Sequence, residues 1–311
     1  MAGTRKGYQQ ISFENPRHGA CRHLVGSEGH RQFANPTYLL LVCFSYKNNA
    51  QILTPLRSPA LIPKPDDWGT HISVAGFYHL PPVSNYIPDP LLEAFLRAGP
   101  PPVYFGFGSI VVDDPGHLSD LILEAIRQTD HRAVISSGWG GFGRRTVPDT
   151  VFVVGNIPHD WLFARVSCVV HHGGAGTAAA GIRLGKPTIV VPFFGDQFFW
   201  GSVIAGAGAG PSPIPIRDLT ASKLAVALQA ALKPTTRRQA QQLGERIMRE
   251  NGTHVGAVTF HQHLNLDNLR CILEPSRCAL WKLKKTGIRL SAFSATALID
   301  ASIIQYKDLE L

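Results

Sequence analysis

Residues 167–201 read SCVVHHGGAGTAAAGIRLGKPTIVVPFFGDQFFWG, and this order of residue types leaves few options for the fold. The β-branched pair Val169 and Val170 predicts the end of a buried parallel strand. The run breaks at His171 and His172 into Gly173, Gly174, Ala175, Gly176 and Thr177, and an alanine-rich helix is expected over 178–184. A glycine turn between a strand and a helix leaves backbone N–H groups unpaired at the positive end of the helix dipole. Such a turn accepts a phosphate without any cationic side chain. Three glycines in a five-residue window allow close approach to the backbone, because no Cβ stands in the way. The chain turns at Gly185, Lys186 and Pro187, and a second strand is expected over 188–191. It ends in Pro192, Phe193, Phe194, Gly195, Asp196 and Gln197, which sets a carboxylate and an amide beside the phosphate turn. A phosphate site next to a pair suited to hydroxyl groups fits a phosphorylated sugar.

The chain upstream of this stretch continues the same alternation. Helices are expected over 88–98 and 117–129, with strands over 103–109, 133–135 and 151–154, and a short helix follows NIPHDW. Strand and helix alternate at least four times, which predicts a Rossmann-like α/β domain: a parallel sheet with helices on both faces. Right-handed crossovers place every strand's C-terminal end on one edge. Segments 106–109, 137–140, 155–159, 172–177 and 194–197 then face one crevice. Gly185, Lys186, Pro187 and Thr188 are not a P-loop, since the proline removes an N–H and the frame is wrong. No G-x-G-x-x-G with a downstream ribose-binding acid follows the first strand, so a nicotinamide cofactor is a poor fit. Downstream, helices are expected from the Thr220 cap to Leu232, over 235–250 and over 256–264.

Composition narrows the remaining choices. Hydrophobic residues make up 44% of the 311 positions and charged ones 17%, which suits a packed domain. The net charge of +8 is scattered, with no stripe of Arg and Lys interleaved with aromatics, so nucleic acid is not an expected partner. The five cysteines are odd in number and form no CxxC pair, which argues against a zinc site or a disulfide framework and suits a reducing compartment. No apolar run approaches the ~20 residues of a membrane helix, and no signal peptide is evident. Residues 1–50 show no sustained period and read as irregular, apart from one strand or helix turn near 38–44. Residues 58–82 are proline-punctuated, with one alternating strand over 71–75. In the tail, WKLKKTGIRL reads either as a basic amphipathic helix for a membrane surface or as a helix packed on the domain.

HHGGAGTAAAGIRLGKPTIVVPFFGDQFFWG resembles the donor-binding signature of UDP-sugar-dependent glycosyltransferases of the GT-B fold, most closely the sterol glucosyltransferase-like branch found in fungi. The resemblance implies that His172 contacts the donor diphosphate, with Thr177 giving its hydroxyl and Gly174 and Gly176 their amides. It implies that Asp196 and Gln197 bind the sugar hydroxyls, although Asp196 is also a natural helix N-cap. Ser109, after Gly106, Phe107 and Gly108, matches a second diphosphate turn. Trp139 and Ile157 fall where the family holds uracil, and Trp139 alone reads equally well as core. His171 is expected in the core, His159 and Asp160 as helix-start residues, and Trp200 as packing. Phe198 stands where the family has proline.

The resemblance covers residues 55–305. It divides the chain into an irregular segment 1–54, a linker-like segment 55–100, a donor domain 101–265 and a helical tail 266–311. The family's acceptor domain, with its general base, has no counterpart in residues 1–50, so no catalytic residue is assigned. The implied reaction transfers a hexose, with glucose the sugar that the resemblance implies, from a UDP-sugar to a sterol or other lipid hydroxyl. The UDP-sugar is a co-substrate, and neither cofactor nor metal is expected. A separate acceptor domain or subunit would complete the enzyme. The implied location is the cytoplasm, with peripheral membrane contact as an option, and a non-catalytic nucleotide-sugar-binding protein is the other reading.

Overall fold

Short runs of β-branched and aromatic residues make the sheet because most positions in them are buried, the edge strand β5 least. In a computed structural model of the protein, the described residues are 41–45, 51–55, 57–70, 72–79, 85–108, 110, 112–138, 147–263 and 269–310. Strands β1 (Leu41–Ser45) and β2 (Gln51–Pro55) pair as an antiparallel hairpin, in which β1 overlaps the strand or helix turn expected near 38–44 and β2 was not expected. Helix α1 (Pro90–Arg97) starts with proline, and the Asp89 carboxylate accepts the Leu91 N–H at 2.8 Å. Strand β3 (Val103–Gly106) is followed by α2 (Pro115–Thr129), which the Asp114 carboxylate caps through the His117 N–H. Then come β4 (Ala133–Ser136), β5 (Val151–Val154), α3 (His159–Phe163), β6 (Cys168–His171), α4 (Ala175–Arg183), β7 (Thr188–Val190) and α5 (Gln197–Gly206). Helices α6 (Ala221–Ala231), α7 (Pro234–Met248) and α8 (Gly252–His263) complete the layer.

The five strands β3 to β7 form one parallel sheet in the order β5-β4-β3-β6-β7. Alternate residues within each strand point to opposite faces. Phe105, Ile135, Val170 and Ile189 pack with Ile122 of α2 and with Leu224 and Leu228 of α6. Tyr104, Val134 and Val169 pack with Leu92 of α1 and with Leu162 and Phe163 of α3. A third cluster joins Ile182 of α4, Trp200 and Ile204 of α5, and Leu243 and Ile247 of α7. Both faces of the sheet are therefore covered, as a parallel sheet requires. Each of these fully buried aliphatic side chains contributes roughly 1.5–3 kcal/mol.

Three expectations are corrected. Of the strand expected over 71–75, residue 71 lies outside the described residues, Ile72 makes a β-bridge, and 73–75 are irregular and join neither edge of the five-stranded sheet. The segment instead packs on the helices: Phe77 and Leu61 join the cluster of Trp200, and the Ser58 hydroxyl and Ala60 N–H donate to Glu250 Oε1 at 2.7 and 3.0 Å. WKLKKTGIRL forms no helix of either kind. It makes strands β8 (Trp281–Leu283) and β9 (Arg289–Leu290), turning at Gly287 with φ +72°. Its apolar residues recur at a spacing of two, so Trp281 and Leu283 pack with Leu290 while Lys282 lies 3.6 Å from Glu310. With α9 (Ala292–Asp300) and β10 (Leu309–Glu310) this gives a small sheet of order β10-β8-β9 under one helix, so the tail is not all helical. Among the described residues, no helix is long and apolar enough to cross a membrane.

Candidate donor-binding site

The strand order fixes where a ligand can enter. From β3 the chain builds outward through β4 and β5, then returns to the other side of β3 with β6 and β7. The pair β3/β6 is thus the switch point, and the crevice opens beyond its C-terminal ends, where Gly106 pairs with His171.

His171 is fully buried at the end of β6, and its Nδ1 accepts the Gly173 N–H at 2.9 Å. That bond makes Nε2 the protonated nitrogen of a neutral ring. Burial pushes the pKa of His171 down to about 3, with the neighbouring His172 and His159 adding to the effect. His171 is therefore the core residue expected, and it anchors the turn that carries the glycines. Gly173 has φ +93°, and a Cβ there would meet Val190 Cγ1 at 2.7 Å and the Gln197 carbonyl oxygen at 2.8 Å. Only glycine fits.

His172 lies across the crevice floor. A Cβ on Gly108, at φ +63° after β3, would stand 3.2 Å from His172 Cε1, and one on Gly174 would clash with His172 Nε2. The imidazole is thus held between the β3 turn and the start of α4. Its Nδ1 is buried with no hydrogen-bond partner among the described residues. Burial lowers the pKa of His172, opposed by the Asp196 carboxylate and assisted by His159. A neutral imidazole offers one N–H to an incoming oxygen.

Helix α4 begins three residues earlier than its alanine run suggested, so Ala175, Gly176 and Thr177 form its first turn. Gly174 is the N-cap and supplies no side-chain bond, which leaves these N–H groups without helical partners. Gly176 is exposed, and a Cβ there would meet nothing within 4 Å. An open, uncapped helix N-terminus at the switch point is suited to an anion.

The third wall follows β7. Gln197 is buried, and its Oε1 accepts the N–H groups of Phe193 and Phe194 at 2.7 and 3.2 Å. Only its NH₂ group is left to donate outward. Asp196 occupies the N-cap position of α5 but makes no capping bond. Its Oδ2 instead accepts Trp200 Nε1–H at 3.1 Å, and the other oxygen has no partner among the described residues. Trp200 is buried against Phe77, as packing. Phe194 and Phe198 are exposed at the rim.

Ile157, after β5, is half-buried against the cluster of Leu162 and Phe163. His159 stacks on Phe163 with centroids 4.6 Å apart, and burial lowers its pKa, so it belongs to the wall rather than the crevice surface. Ser109 and Trp139 lie outside the described residues. The structure thus brings His172, Gly174, Gly176, Thr177, Asp196 and Gln197 to one edge. Two features escaped sequence reading: the His171–Gly173 bond and the internal use of Gln197 Oε1. Among the described residues, no group of three His, Cys, Asp or Glu side chains is placed to hold a metal ion.

The doubly wound sheet with its switch-point crevice defines a nucleotide-binding α/β domain, and the known proteins that it is similar to are GT-B glycosyltransferases, through their C-terminal domain. Residues 120–253 match the family described as "Erythromycin biosynthesis protein CIII-like, C-terminal domain". Among curated proteins, the chain is 45% identical over 209 residues to a sterol 3-beta-glucosyltransferase of Arabidopsis thaliana, covering 67% of this chain and 34% of that one. It is 39% identical over 216 residues to the sterol 3-beta-glucosyltransferase of Kluyveromyces lactis, covering 65% of this chain and 18% of that one. The chain therefore spans about a third of the length of the plant relative. Among solved structures, the glycotransferase of kitacinnamycin superposes with a TM-score of 0.55 at 21% identity, over 68% of this chain and 54% of that one, which supports the fold.

Proposed function

We propose that residues 101–265 form the UDP-sugar-binding half of a hexosyltransferase, with UDP-glucose as donor and a sterol or other lipid hydroxyl as acceptor. The observation that carries this reading is the uncapped, open N-terminus of α4 at the switch point, with the His172 imidazole against its N-cap Gly174. In transfer, an acceptor hydroxyl attacks the anomeric carbon, the bond from that carbon to the diphosphate oxygen breaks, and UDP leaves. Charge then grows on the diphosphate, where the first N–H groups of α4, the positive end of its dipole and the His172 N–H stabilise it. The free oxygen of Asp196 accepts from a sugar hydroxyl, and the Gln197 NH₂ donates to another. Ser109 is assigned to the diphosphate, and Trp139 and Ile157 to the uracil. No cofactor and no metal enters this scheme.

The general base that takes the acceptor proton comes from a separate domain or subunit. Exposure of Phe194 and Phe198 at the rim supports a covering partner surface there, and the similarity to sterol glucosyltransferases supports the lipid acceptor. That acceptor would draw the protein to the surface of a membrane from the cytoplasmic side. Titration calorimetry with UDP and UDP-glucose tests the donor assignment. His172→Ala should abolish most UDP binding, whereas Asp196→Ala should weaken UDP-glucose and spare UDP. A folded wild-type chain that binds neither would overturn the reading.

A further inference from the structure

The opposite edge of the same sheet carries a second concavity. Ser167 and Pro187 immediately precede β6 and β7, and here the turn after α3 and the turn after α4 meet the first turns of α7. A cleft of about 370 Å³ opens between them, lined by Arg165, Ser167, Gly185, Lys186, Arg237 and Gln241 among others, with no carboxylate in its wall. That volume lies at the lower end of small-ligand sites, ~300–1,000 Å³. At ~3.3 Å per strand residue, the four residues of β6 set the cleft about 13 Å from the crevice.

The three cations are placed differently. Arg165 is fixed, since its Nη1 donates to the Trp161 carbonyl oxygen at 2.8 Å and its guanidinium lies 4.2 Å from the Trp161 ring centroid. Lys186 is half-buried, and its Nζ donates to the Ala164 carbonyl oxygen at 3.3 Å. Burial lowers its pKa, and the charge of Arg237, which lines the same cleft, lowers it further. Arg237 is exposed on α7 and has no ion-pair partner among the described residues. Three cations around one concavity repel one another, and a bound dianion removes that repulsion.

We propose that the cleft of Arg165, Lys186 and Arg237 is a phosphate-binding site, distinct from the donor crevice and taking a phosphate or phosphomonoester dianion. Lysine supplies a point charge and the arginines planar donor forks, the combination that phosphate oxygens accept. The phosphate arrives either free in solution or on a lipid headgroup. The assignment does not rest on the donor reading.

Nitrogen-15 NMR of the whole chain, titrated with inorganic phosphate at low chloride, tests it together with co-sedimentation on phosphatidylcholine vesicles with and without phosphatidylinositol phosphate. The expected result is saturable shifts confined to residues 165–167, 184–186 and 237–241, or vesicle binding that requires the phosphorylated lipid. The first outcome identifies a free anion and the second a headgroup. Lys186→Gln with Arg237→Gln should weaken either by at least about tenfold. Lys186→Arg with Arg237→Lys, which keeps the charge, should retain it and guards against a folding defect. Equal binding by the Gln variant, shifts confined to the donor crevice, or no binding to either probe would overturn the proposal.

Discussion

His171 makes stability depend on pH in a way that one substitution can isolate. It is fully buried, holds the Gly173 N–H at 2.9 Å, and has a pKa near 3 because burial disfavours its charged form. In the unfolded chain its pKa returns to about 6.5. Below pH 6.5 the unfolded state binds the proton that the folded state refuses, so this contribution is complete above pH 6.5 and is lost as pH falls towards 3. At 1.36 kcal/mol per pH unit, the loss is about 2 kcal/mol at pH 5. His171→Asn keeps an acceptor for Gly173 but cannot titrate. Its packing cost is the same at every pH and cancels when each protein is compared with itself. Urea unfolding, followed by circular dichroism at pH 7 and pH 5, should show a drop about 2 kcal/mol smaller in the variant. At a urea slope of ~2 kcal/mol/M, that is a midpoint difference of about 1 M. Equal drops in the two proteins would refute the assignment of a buried, neutral His171.

Two glycines of the turn should behave oppositely. Gly173→Ala forces a Cβ against Val190 and the Gln197 carbonyl at positive φ, so thermal unfolding should reveal a loss of at least ~2 kcal/mol. Gly176→Ala places its methyl in open space within a helix, so the free chain should gain up to ~1 kcal/mol while UDP binding measured by calorimetry weakens. Gln197→Leu leaves the N–H groups of Phe193 and Phe194 without their acceptor, which should cost roughly 1–3 kcal/mol in urea unfolding even without ligand. Ile122→Ala, in the core between α2 and the sheet, should cost about 2–5 kcal/mol in the same assay and leave the affinity of the folded chain for UDP unchanged.

The segment from β6 to α5 was legible because its chemistry is local. The β-branched run, the glycines and the Asp196–Gln197 pair each specify a conformation within a few residues, and the crevice follows from the handedness of the crossovers. Helix α4 began earlier than expected because Ala175 and Thr177 tolerate helix and turn alike, so only the geometry of the β6 end decides. The tail was misread because ten residues with basic and apolar positions interleaved satisfy a spacing of two as well as a helical stripe. What selects the hairpin is Gly287 at positive φ and the pairing of β8 with the distant β10, which sets Leu283 opposite Leu309 and Lys282 opposite Glu310. Gln197 illustrates the same limit at the site: an amide next to a carboxylate suggests a ligand, but its oxygen is spent on the backbone of the preceding turn. The cleft at the far edge is composed of Arg165, Lys186 and Arg237, which are widely separated in sequence and form no motif.

On the proposed function, the N-terminus of α4 and the turn after β3 hold a nucleoside diphosphate. Titration of the nitrogen-15-labelled chain with UDP measures it directly, amide by amide. Saturable shifts centred on Gly174, Ala175, Gly176 and Thr177 are expected, with Gly108 moving at the same ligand concentrations. Saturable binding that leaves those amides unmoved, or a folded chain whose spectrum UDP does not change, would contradict it.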